Sequence, residues 1–183
     1  MALLAFSPQL QRQTLHWLAL VIVLALAGCS TTPPRNPMRG ASVDTFGSVA
    51  IDDSKRDEVV LTALALLNTN YRYGGSTPET GFDCSGLIAF VFESATNNAL
   101  PHNTARIAGM SHPVSKNKLA PGDFVFFNTL RREYSHMGIY IGEGRFVNAP
   151  SSGGRVRIDS LQNPYFAKRF DGARTLFRPL SYR

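Results

Sequence analysis

Hydrophobic and polar positions along the 183-residue chain change period several times, and each change marks an element. Residues 17–27 (WLALVIVLALA) form an uninterrupted apolar run, too short to span a bilayer and too uniform for an amphipathic helix, so they stand apart from any globular core. Between residues 30 and 53 no period is sustained, and Pro33, Pro34, Pro37, Gly40 and Gly47 predict a flexible tether. A helix start at Ser54 with Asp57 three residues on leads into Val60, Ala63, Leu64 and Leu67, a stripe at i, i+3, i+4 and i+7 that predicts a helix to about Leu67. After a glycine-rich loop the stripe resumes at Cys84, Leu87, Ile88, Val91 and Phe92. Asn103 is placed to cap a short helix running to about Met110.

Beyond residue 120 the period shortens. The turn Pro121, Gly122, Asp123 leads into FVFF at residues 124–127, a buried strand, and strands follow at 136–141 (HMGIYI), 145–149 (RFVNA), 155–158 (RVRI) and 175–180, with a helical turn at 165–169. Helices early and strands late predict an α+β fold in which N-terminal helices pack on a C-terminal antiparallel sheet. The organisation predicted is a leader over residues 1–28, a tether over 29–53 and one domain over 54–183.

The hairpin between the second and third strands admits two registers. A two-residue turn at 143–144 pairs Gly142 with Arg145 and sends His136 and Asn148 to opposite faces, because side chains alternate. A three-residue loop over 142–144, with Gly144 left-handed, pairs Ile141 with Arg145, Ile139 with Val147 and Met137 with Ala149. His136, Tyr140, Phe146 and Asn148 then share the other face, and Gly138 opposite Asn148 leaves room between that side chain and His136. The second register matches apolar to apolar and predicts a His136 and Asn148 pair.

Composition adds bounds. With 44% hydrophobic residues the chain is ordinary for a globular protein, and its length allows one domain plus extensions. Loss of residues 1–28 removes only Arg12, so the 19 basic residues fall to 18 against 13 acidic ones, a formal +5. That balance suits solvated surface charge or an anionic envelope polymer, while the absence of a basic run, a zinc signature or an RNP-like motif argues against nucleic acid.

Two cysteines exist, Cys29 and Cys84. Leu26, Ala27, Gly28 and Cys29 close the apolar run in a way that resembles the lipobox of bacterial lipoproteins, in which the cysteine becomes the acylated N-terminus. By that likeness, Ser30 after the lipidated cysteine implies transfer to the outer membrane, on its periplasmic face. Cys84 then has no intramolecular partner.

Cys84 opens a helix, where unpaired N–H groups and the dipole favour thiolate, and this suits a nucleophile; a small buried core residue remains the alternative. Activation needs a histidine oriented by a third group. Of four histidines, His16 lies in the leader, His102 and His112 fall in loops, and His136 opens a strand as either base or structural residue. Cys, His and Asn form a known triad variant, with backbone N–H groups at the helix start, Cys84's included, as the oxyanion hole. Two such ligands lack the third and fourth that a zinc site needs, so neither metal nor other cofactor is expected.

Four segments together resemble one family: YRYGGSTPETGFDCSGL, LPHNTARIAG with the later PGDFVFF, SHMGIYIGEGRFVNAPSSGGRVRI, and YFAKRFDGARTLFRPL. From about Asp57 onward the chain is similar to the NlpC-type papain-like cysteine peptidases that cut peptidoglycan stem peptides. The resemblance implies a papain-like fold, Cys84 as nucleophile, His136 as base, Asn148 in a third position more often held by histidine, and Tyr71 lining the site and aiding the oxyanion. It implies substrate-amine contacts for Asp83 and Ser85, and it places His102 where arginine is frequent after Leu-Pro. The function it implies is hydrolysis, through a thioester, of peptidoglycan bonds involving meso-diaminopimelate; together with the lipobox this predicts a lipid-anchored envelope enzyme, and a monomer is expected. An amidase or acyltransferase with the same dyad, and a catalytically weak peptidoglycan-binding lipoprotein, are the alternatives.

Overall fold

A computed structural model describes residues 49–178; the apolar run, Cys29 and most of the tether lie outside the described residues. A 3-10 turn, Asp53–Lys55, starts where the Asp52 carboxylate accepts the Ser54 N–H, and it runs straight into α1 (Arg56–Ala65). Of the predicted stripe, Ala63 is buried and Leu64 and Leu67 pack partly buried against the core, while Val59 takes the buried place expected of Val60, which is half-buried. α1 also stops at Ala65 instead of Leu67.

Two short strands then form a hairpin where a loop was predicted, β1 (Ser76–Thr77) with β2 (Gly81–Phe82). They deliver the chain to α2 (Cys84–Thr96), whose side chains Leu87, Ile88, Val91 and Phe92 are all wholly buried, as their spacing predicts. Asp83 caps it by accepting the Gly86 N–H, and Asn97 ends it in the left-handed conformation. α3 (Thr104–Met110) is capped by Asn103, as expected.

Six strands build one antiparallel sheet: β3 (His112–Val114), β4 (Phe124–Phe127), β5 (His136–Gly142), β6 (Arg145–Asn148), β7 (Arg157–Ser160) and β8 (Phe170–Thr175), with the short helix α4 (Pro164–Ala167) between the last two in sequence. Strand order is β3-β8-β4-β5-β6-β7. Three details depart from the predicted strands. β3 was not foreseen, because its exposed residues His112 and Pro113 carry no apolar pattern. β7 begins at Arg157, not Arg155, because residues 155–156 are taken by the segment before the glycine-rich loop: Asn70 bridges Arg155, and Val156 exchanges backbone bonds with Asn68 and Thr69. The last strand is Phe170–Thr175 and ends where 175–180 was predicted to begin; Leu176 and Phe177 leave the sheet to pair with Ile51.

The sheet is buried on both faces. Phe124, Phe126, Met137, Ile139 and Val147 meet α1 and α2 in the larger core, while Val125, Phe127, Phe146, Leu161 and Phe166 form a smaller aromatic core on the opposite side. An α+β fold of helices on an antiparallel sheet is therefore observed. Among the described residues, no helix is long and apolar enough to cross a membrane.

Candidate active site

The β5–β6 hairpin combines both predicted registers. Ile139 faces Val147 and Tyr140 faces Phe146, as the three-residue loop requires, yet Gly142 pairs with Arg145 across a two-residue turn. A bulge at Ile141 reconciles them, since one unpaired residue restores the parity that a two-residue turn would break. Glu143 and Gly144, at φ 53° and 70°, make that turn in the left-handed conformation typical of tight hairpins. The consequence is the predicted pair: His136 Nε2 lies 2.9 Å from Asn148 Oδ1. Gly138 creates the room, because a Cβ there would sit 2.7 Å from both Val147 O and the Phe146 ring and 3.2 Å from the Asn148 Cβ.

The amide of Asn148 has a defined orientation. Its Nδ2 donates to Asp159 Oδ2 at 3.0 Å and to the Arg157 carbonyl at 3.3 Å, and both of those groups only accept. Oδ1 therefore faces the imidazole, Nε2 carries the proton, and Nδ1 of neutral His136 is left with its lone pair. The ring is also held by apolar contacts: it stacks on Phe166 with centroids 6.2 Å apart and lies 6.1 Å from Phe127. Burial pushes His136 below its ordinary pKa; the Asn148 hydrogen bond and Asp159 act against that, and Arg157 with it.

Cys84 and His136 line the same cleft of about 480 Å3, together with Tyr71, Asp83, Ser85 and His102. Backbone N–H groups of Ser85, of Met137 next to His136, and of Cys84 itself act to favour the thiolate. The predicted thiolate stabilisation fails, however. Burial pushes the Cys84 thiol up to about 11, and the Asp83 carboxylate adds to the rise. A helix terminus supplies about 0.3–1 kcal/mol, less than one pKa unit at about 1.4 kcal/mol each, so desolvation beside a carboxylate outweighs it. Both shifts favour the uncharged forms, a thiol and a neutral imidazole.

The remaining predicted residues are brought to the cleft with different attachments. Asp83 Oδ1 receives the Gly86 N–H at 2.8 Å, the Ser85 hydroxyl at 3.1 Å and His102 Nε2 at 2.7 Å, and Oδ2 receives the Gly74 N–H at 3.0 Å. Burial alone would raise the Asp83 pKa, but the bonds from Gly86, His102 and Gly74 hold it below the usual carboxylate value. Ser85 is buried and its hydroxyl donates its proton to Asp83, which leaves the oxygen free to accept. The Tyr71 hydroxyl is kept protonated by burial and by the neighbouring Asp83 and Cys84, so it is a donor. Cys29 lies outside the described residues. Among those residues, no group of three or more His, Cys, Asp and Glu could hold a metal ion.

Sequence reasoning missed three contributors. Asp159 and Arg157 stand behind Asn148: Asp159 lay beyond the predicted strand end at Ile158, and Arg157 lay within it but with no partner assigned, whereas the observed β6–β7 pairing, Asn148 with Arg157 and Phe146 with Asp159, puts all of them on one face. Leu130 is 69% exposed and lines both this cleft and an adjoining groove of about 170 Å3 that shares His136.

The NlpC/P60 family model matches residues 68–175. The chain is 35% identical over 116 residues to "Murein DD-endopeptidase MepH" of Escherichia coli strain K12, covering 62% of this chain and 43% of that protein. To "Probable endopeptidase NlpC" of the same organism it is 34% identical over 162 residues, covering 87% and 97%. Among solved structures, an NlpC/P60 family protein from Bacillus cereus superposes with a TM-score of 0.62 at 25% identity, covering 70% of this chain and 41% of that one. The chain thus spans less than half of MepH but nearly all of NlpC. With the family model covering more than half of the chain and a relative 34% identical over nearly its whole length, the chain belongs to the NlpC/P60 family.

Proposed function

We propose that the chain is a cysteine endopeptidase that hydrolyses peptidoglycan stem peptides or cross-bridges at bonds involving meso-diaminopimelate, with Cys84 as nucleophile, His136 as acid and base, and Asn148 as orienter. The observation that carries the reading is that His136, its Nε2 tied to an Asn148 amide of fixed orientation and its Nδ1 left as the base, lines the same cleft as Cys84. His136 Nδ1 takes the thiol proton as the sulfur attacks the scissile carbonyl carbon. The oxyanion is stabilised by backbone N–H at the start of α2 and by the Tyr71 hydroxyl. Collapse expels the amine, which receives the proton from His136 and leaves a thioester; His136 then deprotonates the water that hydrolyses it. The name of MepH supports a peptidoglycan cross-bridge among the substrates.

Asp83 and Ser85 bind the amino end of the substrate peptide in this reading. Asp83 Oδ2 receives one donor, which leaves it a lone pair for an ammonium.

For the rest of the chain the reading is a leader over residues 1–28, lipidation at Cys29, a tether to residue 53 and an enzyme domain over 54–183. The support is the apolar run ending in Leu26, Ala27, Gly28 and Cys29. Such a monomeric lipoprotein would work on the periplasmic face of the outer membrane.

Digestion of defined muropeptides with mass analysis of the fragments tests both chemistry and bond. Cys84→Ala should abolish fragment release while the melting transition is kept; full residual activity in that variant would remove the mechanism.

A further inference from the structure

The amide of Asn148 can offer His136 either its oxygen or its nitrogen, and the two choices have opposite chemical results. With Oδ1 toward the ring, Nε2 carries the proton and Nδ1 is a base. With Nδ2 toward the ring, Nε2 must accept, the proton moves to Nδ1, and the ring can no longer take the proton of Cys84. Asn148 is 0% exposed, so bulk water does not arbitrate.

The arbiter visible in the fold is Asp159. Its Oδ2 accepts Asn148 Nδ2 at 3.0 Å, and the same oxygen is braced by Arg157 Nε at 2.8 Å. Arg157 is itself fixed by Nη1 donating to the Ser152 carbonyl at 2.9 Å, while its own carbonyl takes the second bond from Asn148 Nδ2. A flipped amide would set Oδ1 against two oxygens and break both bonds. β6–β7 pairing makes this arrangement structural, since Asn148 lies opposite Arg157 and Phe146 opposite Asp159.

We propose that Asp159 is a positioning residue: braced by Arg157, its carboxylate locks the Asn148 amide and so selects the His136 tautomer in which Nδ1 is the base. The inference rests on the cysteine-peptidase reading above. Acting through orientation, not field, is supported by the charges around the ring: Asp159 and Arg157 of β7 pull its proton affinity in opposite directions, and the nearest rings, Phe127 of β4 and Phe166 of α4, are uncharged. Other titratable groups share the cleft and the adjoining groove with the ring: Tyr71, Tyr73, Asp83, Cys84, His102 and Arg132 in the cleft, and Tyr165 in the groove.

The test uses the purified full chain. Long-range 1H–15N NMR of 15N-histidine-labelled protein should show His136 protonated on Nε2 at a pH where the ring is neutral. Asp159→Ala should lower kcat on a defined muropeptide about 10-fold to 100-fold, the range typical of groups that orient an active-site histidine, with KM little changed and Nδ1-protonated ring appearing in the spectrum. Asp159→Asn should restore most of kcat, because its side-chain oxygen can still accept from Asn148 Nδ2 and Arg157 Nε. In an Asn148→Ala background, Asp159→Ala should add no further loss. Wild-type His136 protonated on Nδ1, an Asp159→Ala kcat equal to wild type, or an Asp159→Asn defect as deep as that of alanine would each overturn the proposal. Should Asp159→Ala fail to fold, the wild-type spectrum and Asp159→Asn still decide it. Activity surviving in Cys84→Ala defeats the underlying reading; a dead Cys84→Ala with a silent Asp159→Ala defeats this inference alone.

Discussion

Cys84 and His136 are each less charged in this fold than an isolated view of either side chain suggests. The thiol sits at the first turn of α2, but burial and the adjacent Asp83 carboxylate raise it to about 11, while burial lowers His136. The sign for activity follows: kcat/KM needs neutral His136 and a protonated thiol, so it rises as pH climbs through a value below that of ordinary histidine and then stays level until the thiol ionises. A pH–rate profile on a defined muropeptide should show its acid limb below the ordinary histidine pKa, and a limb at or above it would contradict the burial argument. Alkylation of Cys84 in the absence of substrate should be slow at neutral pH and accelerate into the alkaline range, measured with iodoacetamide; a pH-independent fast rate would mean that a thiolate–imidazolium pair is already formed. Asn148 belongs at the same scale. Asn148→Ala should lower kcat about 10-fold or more while shifting the melting point little, since it removes the hydrogen bond that chooses the proton's place on the ring.

Among the elements, the β5–β6 hairpin does the most to assemble the site. Its two-residue turn is the short, tight solution for Glu143 and Gly144, and the bulge at Ile141 corrects the parity so that His136 and Asn148 meet. Gly138 is where this assembly is most vulnerable. A methyl group there would press on the Val147 carbonyl, which cannot rotate away, and on the Phe146 ring, so Gly138→Ala should cost about 1–3 kcal/mol in urea unfolding and reduce activity with it. An unchanged midpoint would show that the hairpin can shift to admit the group. Much of this element was legible beforehand: alternation identified both strands, and matching Ile139 to Val147 identified the register. The bulge was not, because two backbone solutions lead to the same apolar pairing and only hydrogen bonding at the tip separates them. Strand β7 fails for a different reason: Arg155 and Val156 look like strand residues and do pair, but with residues 68–70, so their partner lay far away in sequence.

On the scale of the whole molecule, the described domain uses both faces of its sheet, and the site sits where α2 meets the first residues of β5. His136 lines both the 480 Å3 cleft and the adjoining 170 Å3 groove, so the extended substrate proposed for this site would have room in each. The proposed lipid anchor also belongs to this scale. Cys29→Ser should leave the protein unlipidated and move it from the membrane to the soluble fraction; normal membrane fractionation of that variant would refute the anchor. What the sequence determined by itself was local or periodic: the α2 stripe behind Cys84, the Asn103 cap of α3, the FVFF strand, the α+β class and the His136 and Asn148 pairing, all set by alternation, capping and turn chemistry within a few residues. What only the tertiary structure decided was whatever depends on burial or on chains meeting from afar. The thiol's charge is one such property, because desolvation is set by the packing around Cys84. Asp159 behind Asn148 is another, because it depends on which residues of β7 reach the sheet.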